Sequence, residues 1–348
     1  MSEITYDPAE KASYKERFDN WKTAIGLQAV DNLTPSVYLT QLAQEHIEGK
    51  LTISDVERLI EGYYESSENR IAAESTRQNE ADLISARIAK LLETKTFALT
   101  ENSLKTIHRK LFSGFTDYSP GKYRKYDIVK SEWVLDGDTV QYAHWDLLEN
   151  EVALLVHNEQ AFYYSELSTE EKVNHIIDFT SKLWVLHAFL EGNTRAIAIL
   201  IIKHLRSLGF NTENEPFDKN SWYFRNALAR ANYRNSAIGI AADNTYLRYF
   251  FGNLLLQETN ELSNRMLHIH WGTRSIVQQN DPVNGPLNPV IVAVLNQIIA
   301  NPKSTYDDIA AAIGKSRTTV RRAIRTLKET GRITRTGSDK TGYWSLSG

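Results

Sequence analysis

Residues 196–202 read Ala-Ile-Ala-Ile-Leu-Ile-Ile, an uninterrupted apolar run, and Gly192 and Asn193 stand just before it. A helix that is apolar on every side belongs at the centre of a folded body rather than on its surface. Seven helical residues span only about 10 Å, far short of the ~30 Å needed to cross a bilayer. The chain is therefore expected to wrap this short helix with others, and the flanking sequence agrees. Upstream, Ser168 or Thr169 can cap a helix, Glu170 and Glu171 suit its first turn, and Val173, Ile176, Ile177, Thr180 and Trp184 form one stripe.

A chain of 348 residues has room for two or three domains, and 42% hydrophobic with 24% charged residues is ordinary for a folded soluble protein. There is no cysteine, so disulfides and thiolate metal sites are excluded, and a cytoplasmic location is expected. The start, MSEITYDPAEK, has no basic region followed by an apolar run, so no secretory signal and no membrane association are expected. Net charge is −3 but uneven. Residues 286–348 hold ten Lys/Arg against four Asp/Glu, a local +6 that leaves −9 for the rest. A basic tail domain on an acidic body suggests two kinds of partner.

Residues 1 to about 115 read as helices. In 79–92, Leu83, Ile84, Ile88 and Leu91 recur at helical spacing. Gly114 and the Ser119-Pro120-Gly121 cluster break the pattern. Residues 126–142 then change character: two arms rich in β-branched and aromatic residues flank Asp136-Gly137, which predicts a β-hairpin. Helices resume at Asp146 and run to about 275, and 280–286 is a linker by composition.

The segment 187–195 reads His-Ala-Phe-Leu-Glu-Gly-Asn-Thr-Arg and gives a helix, a tight loop and a second helix. Gly192 and Asn193 tolerate unusual backbone angles. The helix they open presents unpaired N–H groups to an anion. Arg195 adds a planar fork suited to phosphate. Glu191 is a hard oxygen ligand for magnesium, and His187 is the evident general base. Each residue alone is commonplace, but their joint spacing resembles the Fic family motif, His-x-Phe-x-(Asp/Glu)-Gly-Asn-x-Arg, at every fixed position: His187, Phe189, Glu191, Gly192, Asn193 and Arg195.

The resemblance covers roughly residues 75–260. It implies a mainly α fold: an all-helical Fic core whose hairpin at 126–142 is the flap that holds a target peptide by strand pairing. It implies transfer of AMP from ATP, with Mg²⁺, to a Tyr, Thr or Ser hydroxyl of a protein target, the chain itself included. In that role His187 is the base, Glu191 holds the metal, and Gly192, Asn193, Thr194 and Arg195 stabilise phosphate charge. The helix 222–232 would line the adenosine pocket, with Tyr223 or Phe224 and Asn232 in contact. A homodimer is compatible with the resemblance. Two positions depart from the family pattern: Ala188 stands where Pro is usual, and Ala198 replaces a second Arg, which predicts altered γ-phosphate binding. Gly192 and Thr194 look closer to the AMP branch than to the phosphocholine-transferase and Doc-type kinase branches.

Many Fic proteins carry (Ser/Thr)-x-x-x-Glu-(Gly/Asn) on an inhibitory helix. Thr76 and Glu80 fit its first five positions, and Ala81 departs from the sixth. In the family that Glu pairs with the second Arg. With Ala198 there, Glu80 is expected near the site but as a poor restraint.

At 288–348 the pattern is different again. Val290, Val294, Leu295, Ile298 and Ile299 line one helix, Ser304 would cap a second that ends at Gly314, and Ser316 would cap a third that ends at Gly331. In the third helix Val320, Ile324 and Leu327 face inward. Arg317, Thr318, Arg321, Arg322, Arg325 and Lys328 largely remain outside, and 332–346 suggests a hairpin wing. This resembles a winged helix-turn-helix domain and implies DNA contact through Arg317, Thr318, Arg321 and Arg322. The expected domains are an N-terminal helical region (1–110), a catalytic core (111–275), a linker (276–287) and the winged helix (288–348). Two other functions remain: a DNA-binding regulator whose core senses nucleotide, or transfer of another group such as UMP or phosphate.

Overall fold

The computed structural model describes residues 12–65, 77–212, 215–271, 289–329, 333–337 and 342–346. The linker 276–287, Thr76, Gly331, Arg332 and the wing tip 338–341 lie outside these. The chain divides into two compact units, residues 1–273 and 274–348.

In the first unit the helices are α1 (Tyr14–Gly26), α2 (Val37–Ile47), α3 (Ile53–Glu65), α4 (Gln78–Glu93), α5 (Ser103–Phe112), α6 (Leu148–Gln160), α7 (Thr169–Leu186), α8 (Asn193–Ser207), α9 (Glu215–Asn232), α10 (Thr245–Leu255) and α11 (Asn264–Leu267). The apolar run lies inside α8, and every residue from Asn193 to Leu205 is buried. Helices α4, α5 and α7 pack against it, so those preceding residue 110 share one body with those that follow. Helix α7 begins with a capping box in which Ser168 accepts from Glu171 N–H and Glu171 reaches back to the Ser168 backbone. Among the described residues no helix is long and apolar enough to cross a membrane.

The segment 126–142 differs from the expected hairpin. The chain reverses at Asp136-Gly137, both at positive φ, but among the described residues the arms are not strands. Two bonds close the reversal, Glu132 N–H to the Asp138 carbonyl (2.9 Å) and Gly137 N–H to the Glu132 carbonyl (3.1 Å). A single 3₁₀ turn, Trp133–Leu135, interrupts the alternation. Val134 and Leu135 are adjacent and both fully buried, which a strand with one wet face cannot achieve. Side chains hold the loop instead: Arg225 bonds Glu132 (3.0 and 3.2 Å), Tyr233 donates to Asp138 (2.6 Å), and Trp133 packs on Trp222.

The second unit holds α12 (Pro289–Ala300), α13 (Tyr306–Ile313), α14 (Arg317–Glu329) and an antiparallel pair, β1 (Ile333–Thr336) with β2 (Tyr343–Leu346), in register Ile333 to Leu346. Helix α13 is capped by Thr305, in a capping box with Asp308, rather than by Ser304. Ser304 is buried and gives its carbonyl to the Trp344 indole (3.1 Å), so it anchors the wing instead. Gly314 ends α13 in the left-handed region (φ +61°), and Ser316 Oγ accepts from Thr319 N–H at the start of α14.

Candidate active site

The loop between α7 and α8 is built from its own residues. Asn193 accepts from Phe189 N–H and donates to the Phe189 carbonyl, both at 2.8 Å, which closes the loop onto the first turn of α8. Its side chain is therefore structural in this arrangement. Gly192 sits at φ +72°, and a Cβ there would lie 2.0 Å from Cζ of Phe112, so glycine is required twice over. Phe189 is fully buried and stacks on His108 (3.7 Å between ring centroids). Gly121 N–H donates to His108 Nδ1 (2.9 Å), so Nε2 carries the hydrogen and donates to the Glu191 carbonyl (3.0 Å). Burial pushes the pKa of His108 down to about 4. The Trp184 indole donates to Thr194 Oγ1 (3.0 Å), which ties α7 to the start of α8.

His187 ends α7 in the left-handed region (φ +45°), an uncommon place for a non-glycine residue. Its ring is buried between Tyr142 (4.3 Å between centroids) and the edge of Trp184 (5.5 Å). Among the described residues neither ring nitrogen has a hydrogen-bond partner. Burial, with the cations of Lys130, Arg225 and Arg124 around it, holds its pKa well below the usual histidine value. The ring is therefore neutral at pH 7 with an open lone pair, as a base requires.

Arg195 is fully buried in the first turn of α8 and already has partners. Asp31 approaches Nε at 2.7 Å, Glu80 approaches Nη2 at 2.9 Å, and Nη1 donates to Gln28 (3.2 Å). Burial opposes the charge, but Asp31 and Glu80 outweigh it and raise the Arg195 pKa. Burial likewise works against the Asp31 carboxylate, and Arg195 with Arg225 outweighs it. Glu80 also takes two bonds from Arg77 (2.8 and 2.9 Å) and one from the Tyr118 hydroxyl (2.8 Å). Glu80 lies beside the motif, as expected, and with Ala198 unable to pair with it, its carboxylate meets Arg195, the arginine of the motif itself.

Glu191 lies at the edge, its side chain 26% exposed. One oxygen accepts from Gly192 N–H (3.1 Å), and the other is 4.0 Å from Lys130 Nζ. A single outward carboxylate suits magnesium, which usually takes one or two protein carboxylates and fills its shell with phosphate and water. Among the described residues no group of three or more acidic or histidine side chains forms a cage.

The helix expected to line the adenosine pocket is α9. Tyr223 is 1% exposed and donates to the Tyr246 carbonyl (3.3 Å), and Phe224 is core. Asn232 donates to Ser181 Oγ (3.0 Å) and braces α9 on α7. The α9 residue that reaches the site is Arg225, which bonds Glu132 and lies 3.7 Å from Asp31. Sequence reasoning missed Arg225, Asp31, Gln28, Arg77, Tyr118, His108 and Arg124. Only the Gly-Lys-Tyr-Arg run at 121–124, beside the predicted flap, offered a local signal. A cavity of about 510 Å³, lined by Lys203, Arg206, Glu93, Phe97 and Phe210, lies at the opposite end of α8 from the motif.

In the second unit Arg317, Thr318, Arg321, Arg322 and Arg325 are exposed on α14, while Val320, Ile324 and Leu327 are buried. Arg317 pairs with Asp307 (2.9 Å). One helix face is thus basic.

Residues 98–205 match the family model described as Fic/DOC family, and residues 287–334 match that described as winged helix-turn-helix DNA-binding. Among solved structures, the chain is similar to the crystal structure of a Fic family protein from Desulfovibrio desulfuricans G20. Identity is 16% over 99% of both chains, with a TM-score of 0.37. Among curated proteins no relative was found.

Proposed function

Since this chain carries a Fic/DOC family domain followed by a winged helix-turn-helix domain, we propose that it transfers AMP from ATP to a hydroxyl of a protein target, and that its basic helix binds DNA. The observation that carries the first part is His187: neutral, enclosed by aromatic rings, without a hydrogen-bond partner on either ring nitrogen among the described residues, and eight residues before a buried arginine at a helix start. A buried histidine with nothing to bond is costly unless another molecule supplies the bond.

In this reading His187 takes the proton of the target hydroxyl. The freed oxygen forms a bond to the α-phosphorus, and the bond to the pyrophosphate oxygen breaks. Arg195 and the first N–H groups of α8 face the phosphate charge. Glu191 would hold magnesium, which supplies neutralisation of that charge. Arg195 must first exchange Glu80 or Asp31 for phosphate, so the arrangement described is a restrained one. That restraint favours a second reading, in which nucleotide displaces Glu80 and the change is conveyed to DNA binding.

Intact-mass spectrometry after incubation with ATP and Mg²⁺ tests the first reading, on wild type, His187→Ala and Glu80→Gly. An AMP-sized adduct on wild type or the Glu80 variant, absent from His187→Ala, is expected. A phosphate-sized adduct would indicate kinase chemistry. No adduct on the chain or on protein from its host would leave the nucleotide-sensing regulator.

A further inference from the structure

Arg124 lies just before the flap and is 3% exposed. Its guanidinium reaches four backbone carbonyls: Nε donates to His187 (2.9 Å), Nη1 to Tyr126 (2.8 Å), and Nη2 to Leu186 (3.2 Å) and Ala143. Its own N–H donates to the Ala188 carbonyl (2.9 Å). Three consecutive carbonyls, 186 to 188, thus bond to one residue. The other two partners, Tyr126 and Ala143, stand at the two ends of the flap segment. Asp127, half exposed, also accepts from Nη1 at 3.5 Å, so one bond of this buried cation goes to a carboxylate and the other four go to carbonyls.

His187 needs such a device. Its backbone is in the left-handed region, which is unfavourable for a non-glycine residue. Among the described residues no hydrogen bond orients its ring. With Tyr142 and Trp184 touching only the ring faces and edges, the ring direction is set by the backbone at 186–188. We propose that Arg124 is the positioning residue for His187, and that it couples the direction of the base to the two stems of the flap. The proposal rests on the reading of His187 as a base. It assigns to the guanidinium a role usually given to the carboxylate of a catalytic triad, orientation of the imidazole, here exerted through the main chain.

Arg124→Lys keeps the charge but cannot reach four carbonyls. We expect kcat for AMP transfer to fall about a hundredfold, as for a reacting group displaced by an ångström, while KM for ATP stays within a few-fold. In parallel, the His187 ring, followed by NMR, should titrate closer to the ordinary histidine value in the variant than in wild type. An unchanged kcat, or a loss confined to KM, would overturn the assignment. If wild type transfers nothing, the reading of His187 fails, and the ring titration alone decides: identical titration in both proteins overturns the positioning role. Should the lysine variant lose its cooperative melt, the Nε–H of Arg124 in wild type decides. It is expected to be protected from exchange with solvent, and exchange as fast as an exposed arginine's would overturn the proposal.

Discussion

Replacing Gly192 by alanine is a severe test of how this loop is built. Two costs add. The position is at φ +72°, where an L-residue loses about 1–2 kcal/mol. The new Cβ would also meet the Phe112 ring at 2.0 and 2.3 Å, and Phe112 is itself fully buried beside His108 and under Arg195, so the ring cannot swing into solvent. Overpacking of this kind costs about 1–3 kcal/mol. The sum, about 2–5 kcal/mol, corresponds to a fall in Tm of roughly 5–15 °C for a unit of this size. A double-mutant cycle separates the two terms. In a Phe112→Leu background the ring edge is gone, and Gly192→Ala should cost only the backbone term, a coupling of about 1–3 kcal/mol. Urea melts of the four proteins measure it. A cost of Gly192→Ala below about 1 kcal/mol, or a coupling indistinguishable from zero, would refute the claim that Phe112 is what enforces glycine here.

Three further outcomes are expected. Glu80→Gly removes one of two carboxylates from Arg195 and should raise AMP transfer about tenfold or more by populating the competent state; an unchanged initial rate would remove Glu80 as a restraint. Burial lowers the pKa of both His46 and His108 to about 4, so below pH ~6.5 the unfolded chain takes up protons that the folded chain does not. Stability should be full above that pH and decline as pH drops towards 4, by roughly 3 kcal/mol from His108 alone, and a Tm flat over that range in calorimetry would contradict it. Arg321→Ala should weaken DNA binding on every sequence and reduce the salt slope by about one counterion, read by fluorescence anisotropy against salt; a sequence-selective loss would assign it a base contact instead.

What was legible in the sequence was what lies within one turn or one loop. The motif at 187–195 and the inward and outward faces of α14 are local patterns, and the structure keeps them. Of the partners of Arg195, only Glu80 was legible, through the Thr76–Glu80 pattern. Gln28 and Asp31 come from far along the chain, and nothing near them announces an arginine. Residues 126–142 misled because β-branched and aromatic residues around Asp-Gly suit either a hairpin or a loop. The choice was made by the burial of Val134 and Leu135 side by side, a tertiary fact. Ser304 and Thr305 are both good caps, and it is Thr305 that forms the capping box with Asp308.

Helix α8 grips α4 at both ends. At the first turn of α4, Arg195 holds the Glu80 side chain. At its last turn and the residue just past it, Lys203 takes the carbonyls of Leu91 and Thr94, and Arg206 takes that of Leu92. The lower grip is on main chain, whereas the upper one is on a side chain that an arriving phosphate would contest. Helix α4 therefore has a pivot and a latch rather than a track. It cannot slide along its axis without breaking three carbonyl bonds, but it can swing about its C-terminal end. Hydrogen exchange along α4 should accordingly be graded, fastest near Glu80 and slowest near Leu91, and nucleotide should steepen the gradient without moving its fixed end.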